Sequence, residues 1–262
     1  MRASSVNGPT PSLPLLGYAA RQRLQCYSCY AAISQSLLSH IDLYNLPDKV
    51  EVSIILAGEA LERLREGNRR FVSGVRSNER LASQMRRSGL AAGQEPFAIV
   101  LGCSDSRVPA EIVFDQGLGD LFVIRVAGNI VAPSQVGSVE FAAERFGTRL
   151  VVVLGHSQCG AILATLEELG RPSEDHSRNF RSIVDRIRPS VEALLGKELR
   201  PHPDDLVRQA VRANIRASAN HLRHGSEVLE RLIPKDGLLV VGAEYSLETG
   251  VVDFFDGVPE AG

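Results

Sequence analysis

Phe97-Ala-Ile-Val-Leu-Gly-Cys103 and Leu150-Val-Val-Val-Leu-Gly-His156 are the two stretches that decide the fold of this chain. Each is apolar throughout instead of alternating between apolar and polar residues, which is typical of a strand buried on both faces. Each also ends on a side chain that can bind a metal ion. The two stretches therefore predict a parallel sheet, covered by helices on both sides, with a site at the ends of two strands.

Strand-like and helical segments alternate around these two stretches. Between the strands, apolar residues recur at helical spacing, as Val136, Val139 and Ala143 do. Over residues 58–262 the sequence predicts a single α/β domain, with three α-β-α layers around a mostly parallel central sheet. The predicted strands are Phe97–Gly102, Leu121–Val126, Leu150–Gly155 and Leu238–Ala243, and the predicted helices are Gly58–Ser73, Ser134–Phe146, Gly160–Leu169, Arg181–Leu195 and Asp204–His224.

The composition limits the classes of function. A length of 262 residues and a hydrophobic content of 44% suffice for one full core. The formal net charge is −2 and the basic residues are scattered, so we expect neither nucleic acid nor an anionic membrane as a partner. No apolar run approaches the roughly 18 residues that span a bilayer. Four cysteines are too few for a scaffold built on disulfides.

Residues 1–57 lie outside the predicted domain, either as an N-terminal extension or as a targeting segment. The first acidic residue is Asp42, and arginines and many serines precede it. We expect a cytoplasmic protein; the alternative, if residues 1–41 act as a targeting segment, is an exported or organellar one. Cys26 and Cys29 form a CxxC pair in this region. No second pair with zinc-ribbon spacing follows, so we interpret the spacing as chance.

Two short motifs carry the chemistry, Cys103-Ser-Asp-Ser-Arg107 and His156-Ser-Gln-Cys159. Two thiols and one imidazole suit Zn²⁺ better than Mg²⁺ or Ca²⁺, which prefer oxygen ligands. Because the carboxyl ends of parallel strands meet at one edge of a sheet, Cys103, His156 and Cys159 can converge there. Three protein ligands leave a fourth position open, as catalytic zinc sites do.

Asp105 and Arg107 decide what fills the fourth position. Asp105 either closes the site as a fourth ligand, or pairs with Arg107 through two parallel hydrogen bonds and leaves room for water. Two thiolates neutralise Zn²⁺, so a zinc-bound hydroxide should form at higher pH than at a site with three imidazoles. We therefore expect activity that rises toward alkaline pH, with an electrophilic carbon such as that of CO₂ as the target.

In their order and spacing, these motifs resemble those of the β-class carbonic anhydrases. The resemblance covers roughly residues 58–256 and implies a zinc-dependent carbonate dehydratase that interconverts CO₂ and bicarbonate on an α/β fold. It also implies a homodimer or higher homo-oligomer with active sites at the subunit interface. The segments that carry it are Cys103-Ser-Asp-Ser-Arg-Val, Gly155-His-Ser-Gln-Cys-Gly, Gln94-Glu-Pro-Phe, residues 119–129 and Gly242-Ala-Glu-Tyr-Ser-Leu-Glu-Thr-Gly.

The resemblance also implies roles for single residues. Cys103, His156 and Cys159 match the zinc ligands. Asp105 and Arg107 match the catalytic pair of the family, with Asp105 as a fourth ligand only in a closed state. The matches at substrate-binding positions are Gln94, whose amide can bind the substrate, Phe122, which would line an apolar CO₂ pocket, and Gly160, whose N–H can bind an oxyanion at a helix start.

One departure from the family concerns regulation. Some bacterial members hold bicarbonate at a second, non-catalytic site that uses a tryptophan three residues before the first cysteine. This chain has Val100 at that position and contains no tryptophan, although Arg125 is present. We therefore do not expect bicarbonate inhibition through that particular site.

Three other interpretations stay open at the level of sequence. The same zinc site and fold could hydrolyse another small heterocumulene, CS₂ or COS, because access and pocket lining decide the substrate. A catalytically silent zinc-binding protein is the second. A flavodoxin-like nucleotide binder is the third and weakest, since neither G-x-G-x-x-G nor a Walker loop stands in the right place.

Overall fold

The computed structural model describes residues 55–75, 89–91, 93–170, 177–195 and 203–259 of the chain. Nearly all of the predicted N-terminal extension, including Cys26 and Cys29, lies outside these residues, and so does the interpretation of that pair. No helix within the described ranges is both long enough and apolar enough to cross a membrane.

Among the described residues, one sheet of five strands forms the core of the domain. Its strands are β1 (Ala98–Gly102), β2 (Leu121–Arg125), β3 (Leu150–His156), β4 (Leu239–Tyr245) and β5 (Val252–Asp256). They lie in the order β2-β1-β3-β4-β5; the first four are parallel, and β5 runs antiparallel to β4. Gly102 pairs with Leu154, so Cys103 and His156 leave neighbouring strands at the same edge. This adjacency brings the two motifs together.

Helices cover both faces of the sheet, as predicted. Along the chain they are α1 (Ala57–Val72), α2 (Ala110–Val113), α3 (Pro133–Arg145), α4 (Gly160–Gly170), α5 (Arg178–Leu195), α6 (Pro203–His224) and α7 (Glu227–Asp236). One face packs against α5 and α6 through Ile187 and Ile215. The other packs against α1 through Leu61 and Leu64. A mostly parallel sheet between two helical layers confirms the predicted three-layer α/β fold.

Helix α6 lies very close to the sheet where β3 ends. Gly155 faces Ile215, and a Cβ atom on Gly155 would lie 2.5 Å from Cδ1 of that isoleucine. This separation is far below an ordinary van der Waals contact, so a larger residue here would force the Ile215 side chain to move in a closely packed interface. Gly155 directly precedes His156. The contact therefore fixes the point at which this metal-binding residue leaves the sheet.

The prediction lacks α2, α7 and β5. Strand β5 is less buried than the parallel strands: Val252 is buried, Asp253 is exposed and the other three residues are half-buried, as is common for an outer strand. Helix α7 begins where the Ser226 hydroxyl accepts the N–H of Leu229 and ends at Gly237, whose φ is +67°. A serine before a helix and a glycine after it are both common caps, so the sequence contains the signals for this helix.

Candidate metal centre

Three metal-binding side chains meet at the carboxyl edge of the sheet. Cys103 directly follows β1, His156 is the last residue of β3, and Cys159 directly precedes α4. Their ligand atoms all lie within 4.8 Å of one another. All three residues are buried, with exposed fractions of 6%, 0% and 2% respectively. The structure thus brings together the three residues predicted as ligands.

The geometry of this cluster fits a tetrahedral metal ion. The Sγ atoms of Cys103 and Cys159 are 4.0 Å apart, and two Zn–S bonds of about 2.3 Å at a tetrahedral angle would place them about 3.8 Å apart. Nε2 of His156 is buried and has no hydrogen-bond partner among the described residues. A buried nitrogen without a partner is costly, and a metal ion would supply the partner for its lone pair. The side chains therefore fit a soft divalent cation.

The second nitrogen of the imidazole fixes its tautomer. Nδ1 of His156 lies 2.9 Å from the carbonyl oxygen of Ser157. A carbonyl can only accept, so Nδ1 carries the proton and donates it. Nε2 then presents its lone pair to the two sulfurs. A hydrogen bond of this kind orients a metal-binding histidine and increases its basicity.

A tight turn after β2 supplies a hydrogen bond to one of the sulfurs. In the 3₁₀ turn Ala127–Asn129, the N–H of Gly128 donates to Sγ of Cys103 over 3.4 Å. Gly128 has a φ of +69°, and a Cβ atom there would lie 2.8 Å from Cδ1 of Ile187. Both the backbone conformation and the close packing require glycine. The turn is therefore shaped to bring a backbone donor to a thiolate.

Two polar side chains of α6 hold this turn in place. Nδ2 of Asn214 donates to the carbonyl oxygen of Gly128 at 2.8 Å, and the Ser218 hydroxyl donates to that of Asn129 at 3.0 Å. Both side chains belong to buried residues of the core. Helix α6 therefore supports the Cys103 sulfur through the turn, without touching it.

The two thiols have opposite tendencies to ionise. The hydrogen bond from Cys159, together with that from Gly128, lowers the pKa of Cys103 against the effect of burial. The same bond to Cys103, and burial, raise the pKa of Cys159. Of the two thiols, Cys159 therefore retains its proton to higher pH. A bound cation would displace that proton, because metal ligands must be thiolates.

Asp105 is paired with Arg107 at the border of the cluster. Its Oδ1 accepts the backbone N–H of Arg107 at 3.0 Å and Nε at 2.9 Å, and its Oδ2 accepts Nη2 at 2.7 Å. The side-chain hydrogen bonds of Arg107 hold the pKa of Asp105 well below its usual range. Oδ2 lies 3.8 Å from Nε2 of His156. Of the two arrangements that the sequence left open, the structure has the Asp105–Arg107 pair.

Arg125, at the end of β2, ties the first motif to the sheet. Its Nε donates to the carbonyl oxygen of Cys103 at 3.1 Å, and its Nη2 donates to that of Asp105 at 2.6 Å. The guanidinium thus spans the backbone on either side of Ser104. It holds Cys103 and Asp105 in register with each other.

The three predicted substrate-binding residues lie in different places. Gly160 begins α4, next to Cys159. Gln94 is exposed and precedes β1, whereas Cys103 follows that strand, whose five residues span about 16 Å. Phe122 pairs with Ile99 near the amino end of β1, roughly 13 Å along the strand from Cys103. Within one chain, the fold therefore brings Gly160 to the centre but not Gln94 or Phe122.

Phe122 instead belongs to a group of aromatic side chains beside the outer strand β2. Its ring centroid lies 6.2 Å from that of Phe141 and 6.0 Å from that of Phe146, and the latter two are 5.6 Å apart. We call these three residues the aromatic edge. Phe141 is 53% exposed in the single chain. Exposed aromatic surface beside an outer strand is typical of a contact surface.

The residues that support the proposed ligands were not predicted from the sequence. Asn214 lies on the inner side of a predicted amphipathic helix, and a polar residue on a buried face is a signal of a specific hydrogen bond. Ser218 follows one turn later on the same face. Arg125 carried no such signal, because its contacts depend on the pairing of β1 with β2.

The comparisons with known proteins agree with this geometry. The family model described as "Carbonic anhydrase" matches residues 98–252. The chain is similar to carbonic anhydrase 2 of Mycobacterium tuberculosis, with 40% identity over 73% of this chain and 89% of the relative. It is similar to the β-carbonic anhydrase CafA of Aspergillus fumigatus, with a TM-score of 0.59 and 26% identity over 66% of this chain and 81% of that one. A tetrameric β-carbonic anhydrase of Sordaria macrospora shares the fold, with a TM-score of 0.56 and 23% identity over 64% of this chain and 85% of that one.

Proposed function

Because the chain belongs to the β class of the carbonic anhydrase family and is a carbonate dehydratase, we propose that it interconverts CO₂ and bicarbonate with Zn²⁺ held by Cys103, His156 and Cys159. The observation that carries the choice of metal is the buried cluster of two thiols and an unpartnered Nε2. Thiol sulfur and imidazole nitrogen favour Zn²⁺ over the oxygen-seeking Mg²⁺ and Ca²⁺.

Zinc bound there would lower the pKa of a water molecule and so supply the nucleophile for CO₂. The residues of the chain keep a position free for that water. Arg107 binds both oxygens of Asp105, so this carboxylate stays a hydrogen-bond acceptor beside the centre and does not act as a ligand. As an ionised acceptor, Asp105 can hold an O–H of the nucleophile and direct its lone pair toward the carbon.

Two negatively charged sulfurs set the pH dependence. They offset the charge of the cation, so the water loses its proton less readily than it would beside neutral ligands. We therefore expect the rate of CO₂ hydration to rise from neutral to alkaline pH.

We extend the proposal to the assembly: the working enzyme is a homodimer or higher homo-oligomer in which Gln94 and Phe122 serve a neighbouring copy's centre. Both residues lie toward the amino end of the sheet, away from the ligands of their own chain. The aromatic edge offers an apolar surface for a second copy. The Sordaria macrospora relative of the same fold is described as tetrameric.

The direct test measures metal content and turnover together. We expect about one zinc per chain by elemental analysis, and CO₂ hydration that increases between pH 7 and pH 9 in a stopped-flow assay. CS₂ assayed in parallel separates the heterocumulene hydrolase from the dehydratase. Bound zinc without CO₂ hydration at any pH would contradict the proposal and indicate a silent zinc-binding protein.

A further inference from the structure

Ser157 lies between two proposed metal ligands and uses all of its polar groups. Its carbonyl oxygen accepts Nδ1 of His156, and its own N–H donates to the carbonyl oxygen of Tyr245 at 2.9 Å. Its hydroxyl accepts the N–H of Leu247 at 3.0 Å and donates to Oε2 of Glu248 at 2.9 Å. One residue therefore connects the imidazole to the β4–β5 connection, residues 246–251.

The β4–β5 connection is itself held at both ends. Ser246 donates its hydroxyl to Oε2 of Glu248 at 3.0 Å, and its N–H donates to the carbonyl oxygen of Val251 at 2.9 Å. From α1, Nδ2 of the buried Asn68 donates to the carbonyl oxygen of Gly250 at 2.9 Å. Glu248 thus belongs to a turn that is held by hydrogen bonds, and its carboxylate contacts Ser157.

The loop between the ligands needs support from outside. Gln158, between Ser157 and Cys159, has a φ of +53°, a left-handed conformation that costs free energy for a residue other than glycine. A loop with such a residue keeps its shape only when neighbouring contacts impose it. Ser157 receives those contacts from residues 245–248, about ninety positions later in the chain.

We propose that Glu248 is a positioning residue of the metal centre: through the Ser157 hydroxyl it fixes the carbonyl that orients His156, and so slows the loss of the metal. The inference rests on the proposed zinc site and deepens it. The late segment Gly242-Ala-Glu-Tyr-Ser-Leu-Glu-Thr-Gly would then stabilise the loop of residues 156–159, which carries two of the proposed ligands. Partners one step removed from a metal typically change its affinity by about 10- to 100-fold.

The test follows zinc release to an excess of chelator, monitored with a chromogenic zinc indicator. We expect Ser157→Ala to release zinc about 10-fold faster and Glu248→Ala about 3-fold faster, the smaller value reflecting the exposure of that carboxylate. Glu248→Gln should release zinc near the wild-type rate, because its amide oxygen still accepts the hydroxyl. Co²⁺-substituted Glu248→Ala should also show a shifted visible absorption band, which a purely structural role would not produce.

A double-variant cycle tests the route through Ser157. If Glu248 acts through that hydroxyl, Ser157→Ala/Glu248→Ala should release zinc no faster than Ser157→Ala alone. Glu144→Ala is the matched control, since Glu144 is an exposed carboxylate that accepts a hydrogen bond from Arg231 and contacts neither Ser157 nor the β4–β5 connection; its release rate should equal the wild-type rate.

Three results would overturn the inference: wild-type release from Glu248→Ala, strictly multiplicative effects in the double variant, or equal acceleration in Glu144→Ala. If Ser157→Ala fails to fold, the zinc-release rates of Glu248→Ala and Glu248→Gln still test the inference. Both variants should fold, because the Glu248 side chain is exposed. If the wild-type chain binds no zinc, the proposed function fails together with this inference. If the wild-type chain binds zinc but Glu248→Ala releases it at the wild-type rate, only the role of Glu248 is wrong.

Discussion

The carboxyl ends of β1 and β3 differ from the aromatic edge beside β2 in how complete each is within one chain. At the strand ends, the proposed ligands are buried. Arg125 of β2 donates to the backbone of Cys103, while α6 and the β4–β5 connection donate to the neighbouring residues Gly128 and Ser157. At the aromatic edge, Phe141 is more than half exposed, and Phe122 lies far from the centre of its own chain.

The difference separates two tasks. Binding the metal needs residues that one chain already places together. Handling the substrate, as proposed, needs Gln94 and Phe122, which one chain does not bring to its own centre. On this proposal, the single chain forms the metal site and the assembly completes the active site. Four experiments test this division.

The largest effect should come from the metal cluster itself. Cys159→Ser removes a soft ligand and leaves an alcohol that is not ionised at neutral pH. We expect the loss of bound zinc and a fall in CO₂ hydration of at least about 10³-fold, measured by elemental analysis and stopped-flow assay. The assembly should persist in size-exclusion chromatography. Full zinc occupancy in this variant would show that the cluster is not the metal site.

Arg107→Leu should lower activity by about 10- to 100-fold at pH 7 while zinc stays bound. Without Arg107, the pKa of Asp105 returns toward the ordinary value, about 3.9, so the carboxylate remains ionised at neutral pH and competes for the open position. The loss should shrink toward pH 9, where hydroxide competes better. In the wild type, the Asp105–Arg107 pair contributes stability that is lost only as the pH falls through the depressed pKa of Asp105. This loss lies far below pH 7, so it does not affect the activity profile between pH 7 and pH 9.

A pH-independent loss in Arg107→Leu would speak against competition by Asp105. Arg231→Leu is a suitable control, because it removes another arginine that is paired with an exposed carboxylate, that of Glu144. Its profile should match the wild type.

The smallest effect should come from the aromatic edge. Phe141→Glu places a charge on an exposed apolar surface, so the chain should keep its fold and its zinc but assemble poorly. We expect about a 10-fold loss of activity that parallels the loss of oligomer in analytical ultracentrifugation. A fully active monomer would contradict the proposal that the assembly completes the active site.

Mixed oligomers sharpen the same comparison. Gln94→Leu and Cys159→Ser should each be poorly active alone. Co-refolded at equal concentrations, they should recover about a quarter of the wild-type activity, since half of random dimers then contain one complete site. No recovery would place Gln94 at the centre of its own chain.

The sequence was sufficient to predict the cluster of Cys103, His156 and Cys159 and the four parallel strands, but not the residues that support the cluster. The apolar runs before Cys103 and His156 are long and uninterrupted, so the strands and the site at their ends follow from local pattern. The contacts of Arg125, Asn214 and Glu248 link positions that are 20 to 91 residues apart. Such contacts follow from strand order and helix packing, which a local pattern does not contain.

The same limit explains the missing outer strand. Val252–Asp256 contains two acidic residues and is short, so its pattern is that of a loop until β4 lies beside it. Gln94 and Phe122 illustrate a further limit. Their proposed roles depend on a second copy, and no pattern within one chain shows where that copy lies.

The adjacency of β1 and β3 has a consequence for the unfolded chain. Cys103 and Cys159 are 56 residues apart in sequence, so an ion that joins them closes a long loop. A covalent cross-link over such a loop removes chain entropy worth about 4 kcal/mol from the unfolded state. A bound metal ion would then stabilise the folded state as well as supply the chemistry. In a cell short of zinc, the amount of folded protein would fall together with the activity.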